Sequence, residues 1–133
     1  MISLKAQYGL KAMVALASIY DKGTLQAKEI AASQDVPVRY LELLLSQLRR
    51  ARLVEATRGK KGGYQLSKKP AQISVLDVIY AFEANVLYTY TGKSGSDPYV
   101  FVWQNAEKTI EKYFNGIKLS DLISKMPKKI KRK

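Results

Sequence analysis

Between Val36 and Leu66 the chain reads VPVRYLELLLSQLRRARLVEATRGKKGGYQL. Leu41, Leu44, Leu45 and Leu48 recur at three- and four-residue steps, which puts them on one stripe of a helix. At about 100° per residue, the opposite face carries Arg39, Leu43, Ser46 and Arg50, with Glu42 and Gln47 on its flanks. Pro37 suits the first turn, where its missing N–H costs nothing, so the spacing predicts a helix from about Pro37 to Ala51. Val54 to Thr57 then reads as a strand. The run Arg58-Gly59-Lys60-Lys61-Gly62-Gly63 supplies the positive-φ positions of a hairpin tip, and Tyr64-Gln65-Leu66 returns. Helix, strand, basic turn and strand make the reading half of a winged helix-turn-helix.

The pattern extends in both directions. Ser3 caps a helix predicted over about Leu4 to Tyr20, with Leu4, Tyr8, Ala12, Leu16 and Ile19 as its buried stripe. Thr24-Leu25 is too short for more than an edge strand. Gln26 to Gln34 reads as a short helix with Ile30 and Ala31 facing inward, and Asp35-Val36 is the turn before the reading helix. Ser74 and Asp77 open a helix over about Val75 to Ala84, with Val75, Leu76, Ile79 and Phe82 placed for burial. Residues 85–98 lose the periodicity and read as a loop. Tyr99, Trp103, Ala106, Ile110, Tyr113 and Ile117 then step by 4, 3, 4, 3 and 4, the spacing of a helix packed along a narrow seam. Such a helix docks on its own domain or pairs with a second copy. Pairing is the more economical reading, because the winged unit is already complete by Leu66. Asn115-Gly116 stops this helix, and Leu119, Leu122 and Ile123 form a last short one. The expected architecture is mainly α with a small β wing. A winged helix-turn-helix domain spans 1–84, a loop 85–98, dimerisation helices 99–126 and a basic tail 127–133.

Charge sharpens this picture. The 133-residue chain carries a net charge of +12 and has a pI near 9.9. Residues 39–69 hold nine Lys/Arg against two acids, a local +7, and residues 125–133 hold six Lys/Arg and no acid. The positive charge therefore sits on the reading unit and the tail, which points to an anionic partner such as nucleic acid. The chain has no Cys and no His. It therefore lacks the ordinary ligands of a structural zinc or an iron–sulfur cluster, and it has no imidazole- or thiol-based nucleophile. No paired carboxylates and no phosphate-cradling GxxxxGK[ST] motif appear, so no enzyme and no cofactor are expected. There is no 18-residue apolar run, and the N-terminus lacks the layout of a signal peptide, so a cytoplasmic protein without a membrane partner is expected.

The candidate DNA contacts are Arg39, Tyr40, Glu42, Leu43, Ser46 and Arg50 on the reading helix, and Arg58, Gly59, Lys60 and Lys61 on the wing. Lys5 and Lys28, near the starts of the first two helices, are weaker phosphate candidates. Arg39 suits guanine N7/O6, Glu42 suits cytosine N4, and Leu43 suits a thymine methyl. Tyr99, Trp103, Ala106, Ile110 and Tyr113 are the candidate dimer interface. The competing reading of the helix is a helical hairpin with a solvated basic face; the Gly-rich basic hairpin directly after it favours DNA. A different class of function is an interaction module, in which the Tyr-rich segment 85–101 (Tyr88, Tyr90, Tyr99, Phe101) docks a regulatory protein or a small ligand.

Several stretches carry a family resemblance: Tyr8-Gly9-Leu10-Lys11-Ala12, Glu29-Ile30-Ala31, Tyr40-Leu41-Glu42, Leu48 to Val54, and Arg58-Gly59 through Gly62-Gly63-Tyr64. With Ile73–Glu83 and Trp103–Ile123, the chain resembles the Rrf2 family of bacterial transcriptional regulators over nearly its whole length. The resemblance implies a homodimeric winged helix-turn-helix regulator, more often a repressor, on a roughly palindromic DNA operator, with crossed C-terminal helices. It matches Tyr40 and Glu42 to recognition-helix positions used on DNA, and Arg58 to the wing arginine. Two departures stand out. Many members carry three cysteines between the 75–84 helix and the dimer helix, with a histidine three residues before the dimer-helix tryptophan in the iron–sulfur regulator. Here the loop has no cysteine and the histidine position is Val100, so the chain is similar to the cluster-free branch, that of the cysteine-metabolism repressor. The glycine usual after the recognition helix is Arg52, which at a left-handed position costs on the order of 1 kcal/mol.

Overall fold

A computed structural model describes residues 2–87 and 97–126. The chain forms helix α1 (Leu4–Ala17), α2 (Ala27–Gln34), α3 (Val38–Arg50), strand β1 (Val54–Thr57), β2 (Gly63–Leu66), α4 (Val75–Tyr80), α5 (Pro98–Asn115) and α6 (Leu119–Ser124). The predicted 85–98 loop lies mostly outside the described residues, including Tyr88 and Tyr90, as does the 127–133 tail.

Helix α1 is the central post. Ser3 caps it by accepting from the Ala6 N–H at 3.1 Å. Helices α2, α3, α4 and α6 and strand β2 all pack against it. That crowding buries Ala6, Gly9 and the whole run Ala12–Ala17, rather than a single stripe. Leu4 departs from the expected stripe: it is 64% exposed, although the residue before it is held by Ser3 N–H donating to the Glu83 carboxylate at 3.3 Å. The helix also stops at Ala17 rather than Tyr20, and Asp21 turns left-handed at φ 66° in the turn that follows. Gly9 sits mid-helix at a conformational cost because the Phe82 ring lies on it; a Cβ there would meet Phe82 Cε2 at 2.3 Å.

Helix α3 buries Leu41, Leu44, Leu45 and Leu48, as its period requires. Each buried leucine contributes about 1.5–3 kcal/mol of transfer free energy. Its C-terminus closes in a Schellman motif: Leu53 N–H donates to Leu48 O at 3.0 Å, and Arg52 N–H donates to Arg49 O at 2.9 Å. Arg52, where the resemblance puts a glycine, occupies the left-handed position at φ 63°. Helix α2 ends the same way, with Asp35 at φ 55° and Val36 N–H on Ala31 O at 3.0 Å; this tight turn aims α3.

Strands β1 and β2 pair antiparallel, Val54 with Leu66 and Thr57 with Gly63. Leu25 adds a third, one-residue rung against Tyr64, with N–H···O distances of 3.0 and 2.7 Å. Helix α4 starts on the expected Ser74–Asp77 capping box but ends at Tyr80, not Ala84. Val78, absent from the sequence-based core, is fully buried, whereas Leu76 and Phe82 are half-buried. The C-terminal segment returns to the same core: Val75 N–H bonds Ile117 O at 2.8 Å, Leu119 N–H bonds Ile73 O at 2.9 Å, and Leu119 is fully buried.

Asp97 accepts from Tyr99 N–H at 2.8 Å and starts α5, with Pro98 in its first turn. Helix α5 packs along α4, where Ile110 and Phe114 meet the small cluster of Val75, Ile79 and Val86. The Tyr80 hydroxyl donates to the Glu111 carboxylate across this contact. Burial first, then that bond and the charges of Glu111 and Glu107, push the Tyr80 hydroxyl up to about 12.

Candidate nucleic-acid interface

The outward face of α3 is polar and solvent-facing because its four leucines are spent on the core. Arg39, Leu43, Ser46 and Arg50 are all exposed, and Leu43 is 52% accessible despite being apolar. An apolar side chain left in water on a reading face is suited to a thymine methyl. Glu42 lies on one flank and Tyr40 on the other.

The Glu42 flank faces the wing. An open cleft of about 530 Å³ runs between them, lined by Val38 and Glu42 of α3, Lys28 at the start of α2, and Arg58 and Gly59 of the wing. The turn Arg58–Gly62 is closed by Gly62 N–H on Gly59 O at 2.9 Å, with Gly59 at φ 106°. Thr24 pins this tip by donating to the Lys61 carbonyl at 3.0 Å. Gly63, at φ 148°, allows the close approach to Leu25: a Cβ would lie 2.6 Å from the Leu25 carbonyl oxygen. Arg58, Gly59, Lys60 and Lys61 are all exposed. Lys5 and Lys28 are exposed too, but only Lys28 lines the cleft. Arg39, Arg50, Arg58, Lys60 and Lys61 have no carboxylate partner among the described residues. Their charge is thus available to an external anion.

The Tyr40 flank faces α1. Tyr40 is half-buried, its ring set edge-on to Tyr8 at 5.8 Å between centroids and 89° between planes. Lys11 Nζ stands 5.3 Å from the centre of the same Tyr8 ring. Helical spacing put Tyr8 in the buried stripe and assigned Lys11 nothing. No local signal tells that Tyr8 meets Tyr40, since the contact joins two helices distant in sequence.

On α5, Tyr99, Trp103 and Tyr113 are 70%, 42% and 66% exposed, and Ala106 is exposed as well. Ile110 differs from its companions on the candidate interface. It is half-buried and packs on the chain's own Val75–Ile79 cluster, at the edge of the free stripe.

A family model described as Rrf2, iron-dependent transcriptional regulator, matches residues 2–125. The chain is 32% identical to the HTH-type transcriptional regulator CymR of Bacillus subtilis, over 92% of this chain and 89% of that one. It is 33% identical to the HTH-type transcriptional regulator IscR of Cereibacter sphaeroides, over 92% and 86%. Among solved structures it is similar to CymR (YrzC), the global cysteine regulator of B. subtilis, with a TM-score of 0.85, 31% identity, and 96% and 98% coverage. It is also similar to T. potens IscR, with a TM-score of 0.78, 32% identity, and 96% and 93% coverage. The iron named in the family description finds no thiolate or imidazole here, because the chain has neither Cys nor His. Among the described residues, no group of three or more Asp/Glu gathers to replace them. The donor set does not fit such a centre. Also among the described residues, no helix is long and apolar enough to cross a membrane. With its winged helix-turn-helix, its unpaired basic wing and a match over nearly its full length, the chain belongs to the Rrf2 family of DNA-binding transcriptional regulators, and it is not an enzyme.

Proposed function

We propose that this protein is a homodimeric, sequence-specific regulator that reads a two-fold symmetric operator and acts as a repressor. The observation that carries the reading is the shared cleft. The exposed face of α3 and the unpaired cations of the wing lie on either side of one opening, with Glu42 and Arg58 both lining it. In this reading α3 enters a major groove and Arg39, Glu42 and Leu43 meet base edges. Arg58, Lys60 and Lys61 contact the adjacent backbone or minor groove, and Lys28 holds a phosphate near the start of α2.

The second copy is supported by α5. Tyr99, Trp103, Ala106 and Tyr113, with exposed Val102 beside them, form an apolar stripe that this chain leaves in water. Pairing two such stripes buries large aromatic surface and sets two reading helices about 34–36 Å apart, one turn of DNA. A dimer clamped over its operator competes sterically with other proteins for the same DNA, which is the basis of the repressor assignment.

The wing is tested by binding an operator duplex with Arg58→Ala. Losing an arginine contact costs about 1–3 kcal/mol, roughly a 5- to 150-fold weaker Kd. Wild-type affinity in that variant would overturn the wing's role.

A second reading, docking of a partner on residues 85–101, is supported by Phe101. It is 66% exposed and lies about 160° around α5 from the middle of the aromatic stripe, so pairing of the stripes does not cover it. Phe101→Ser should then leave the dimer and its DNA affinity intact while abolishing the response of a reporter to its inducing condition. An unchanged reporter response removes that reading.

A further inference from the structure

We propose that Lys11 of α1, positioned by the Tyr8 ring, forms a second phosphate-contacting edge of the interface, on the flank of α3 opposite the wing; this rests on the DNA-binding reading above. A major groove about 12 Å wide is walled by two phosphate strands. A helix seated in it has one strand on each side. The wing and Lys28 flank α3 on the Glu42 side only. On the other side the α3 surface is Tyr40, and the next groups outward are Tyr8 and then Lys11.

The order is built by ring geometry. Tyr40 meets Tyr8 at 5.8 Å and 89°, the edge-to-face arrangement that aromatic quadrupoles favour. Lys11 Nζ, 5.3 Å from the Tyr8 centroid, is attracted to the same ring. Lys11 is exposed and has no carboxylate partner among the described residues, so its charge is free. Tyr8 is thus a positioning residue: one ring fixes both the attitude of Tyr40 beside the reading face and the place of the ammonium beyond it. Lys11 is the cation that neutralises the far-strand phosphate.

The test is the salt dependence of binding, measured by fluorescence anisotropy with a labelled duplex carrying the site enriched from genomic fragments. Each phosphate neutralised contributes a slope of about −0.9 in log K against log salt. Lys11→Gln should therefore lower the slope by about 0.9, so that its deficit against wild type shrinks about 3.5-fold between 50 and 200 mM salt. Tyr8→Leu should show the same loss of slope with the lysine still present, whereas Tyr8→Phe, which keeps the ring, should match wild type. A merely structural role for Tyr8 would weaken binding without changing the slope. Wild-type slope in Lys11→Gln, alongside lost affinity in Arg58→Ala, would refute this edge and leave the DNA reading standing. Absence of any salt-dependent DNA binding by the wild-type protein would refute both.

Discussion

Arg52 is the clearest place where backbone geometry can be weighed in isolation. It ends α3 at φ 63°, and its N–H and that of Leu53 satisfy the Arg49 and Leu48 carbonyls at 2.9 and 3.0 Å. A non-glycine residue in that conformation costs about 1–2 kcal/mol. Glycine escapes this cost but loses about 0.5–1 kcal/mol more in conformational entropy on folding. The difference leaves Arg52→Gly more stable than Arg52→Ala by about 0.5–1 kcal/mol. Both variants delete the guanidinium, so any favourable charge at the helix C-terminus, about 0.3–1 kcal/mol, is lost from both and cancels. For a chain of this size the gap corresponds to about 2–4 °C in Tm. Thermal and urea melts followed by far-UV circular dichroism, at equal protomer concentration because association couples to unfolding, measure it directly. A glycine variant no more stable than the alanine variant would show that the Schellman motif does not strain Arg52.

Ala106→Glu places a carboxylate in the middle of the free α5 stripe and should shift the protein to monomer in sedimentation velocity; a persistent dimer would move the interface elsewhere. Gly63→Ala sets a Cβ 2.6 Å from the Leu25 carbonyl oxygen and threatens the two bonds to Tyr64 at 2.7 and 3.0 Å. Strain and weakened bonding together should cost roughly 2–4 kcal/mol in a urea titration and lower operator affinity with it, whereas a loss under about 0.5 kcal/mol would mean that the wing is not seated as described. The Tyr80 hydroxyl is raised from 10.0 to about 12, so its contribution is complete below pH 10 and lost as pH climbs through 12. Tyr80→Phe should therefore remove a step near pH 12 from the tyrosinate absorbance of the folded protein, and survival of that step would assign it to another tyrosine.

The parts of this fold that were legible in sequence are those governed by one element's own periodicity or by a short backbone motif. Leu41, Leu44, Leu45 and Leu48 announce the buried side of α3, and thereby its exposed side. The glycines around Lys60-Lys61 announce the wing, with Gly59 and Gly63 at positive φ. Properties that depend on neighbours were not legible. Periodicity gave α1 a single stripe with Leu4 in it, because one chain segment does not reveal that five elements surround it, nor that none of them covers Leu4. Ile110 fits the seam spacing of α5, yet it lies where that face turns toward the Val75–Ile79 cluster. Val78 is different: three residues after Val75 and four before Phe82, it falls on the same helical stripe, so its burial follows from the period itself although the sequence-based core omits it. The Tyr8–Tyr40–Lys11 arrangement is a contact between helices, and neither helix's pattern encodes it.

The most direct measurement is selection of genomic fragments by the purified protein at moderate and high salt, followed by sequencing of what remains bound. A shared, roughly two-fold symmetric site with half-sites about one helical turn apart, surviving moderate salt, is the expected result. Uniform retention of all fragments, lost together as salt rises, would mean that the +12 charge alone holds DNA, and it would contradict sequence reading by α3 and the wing.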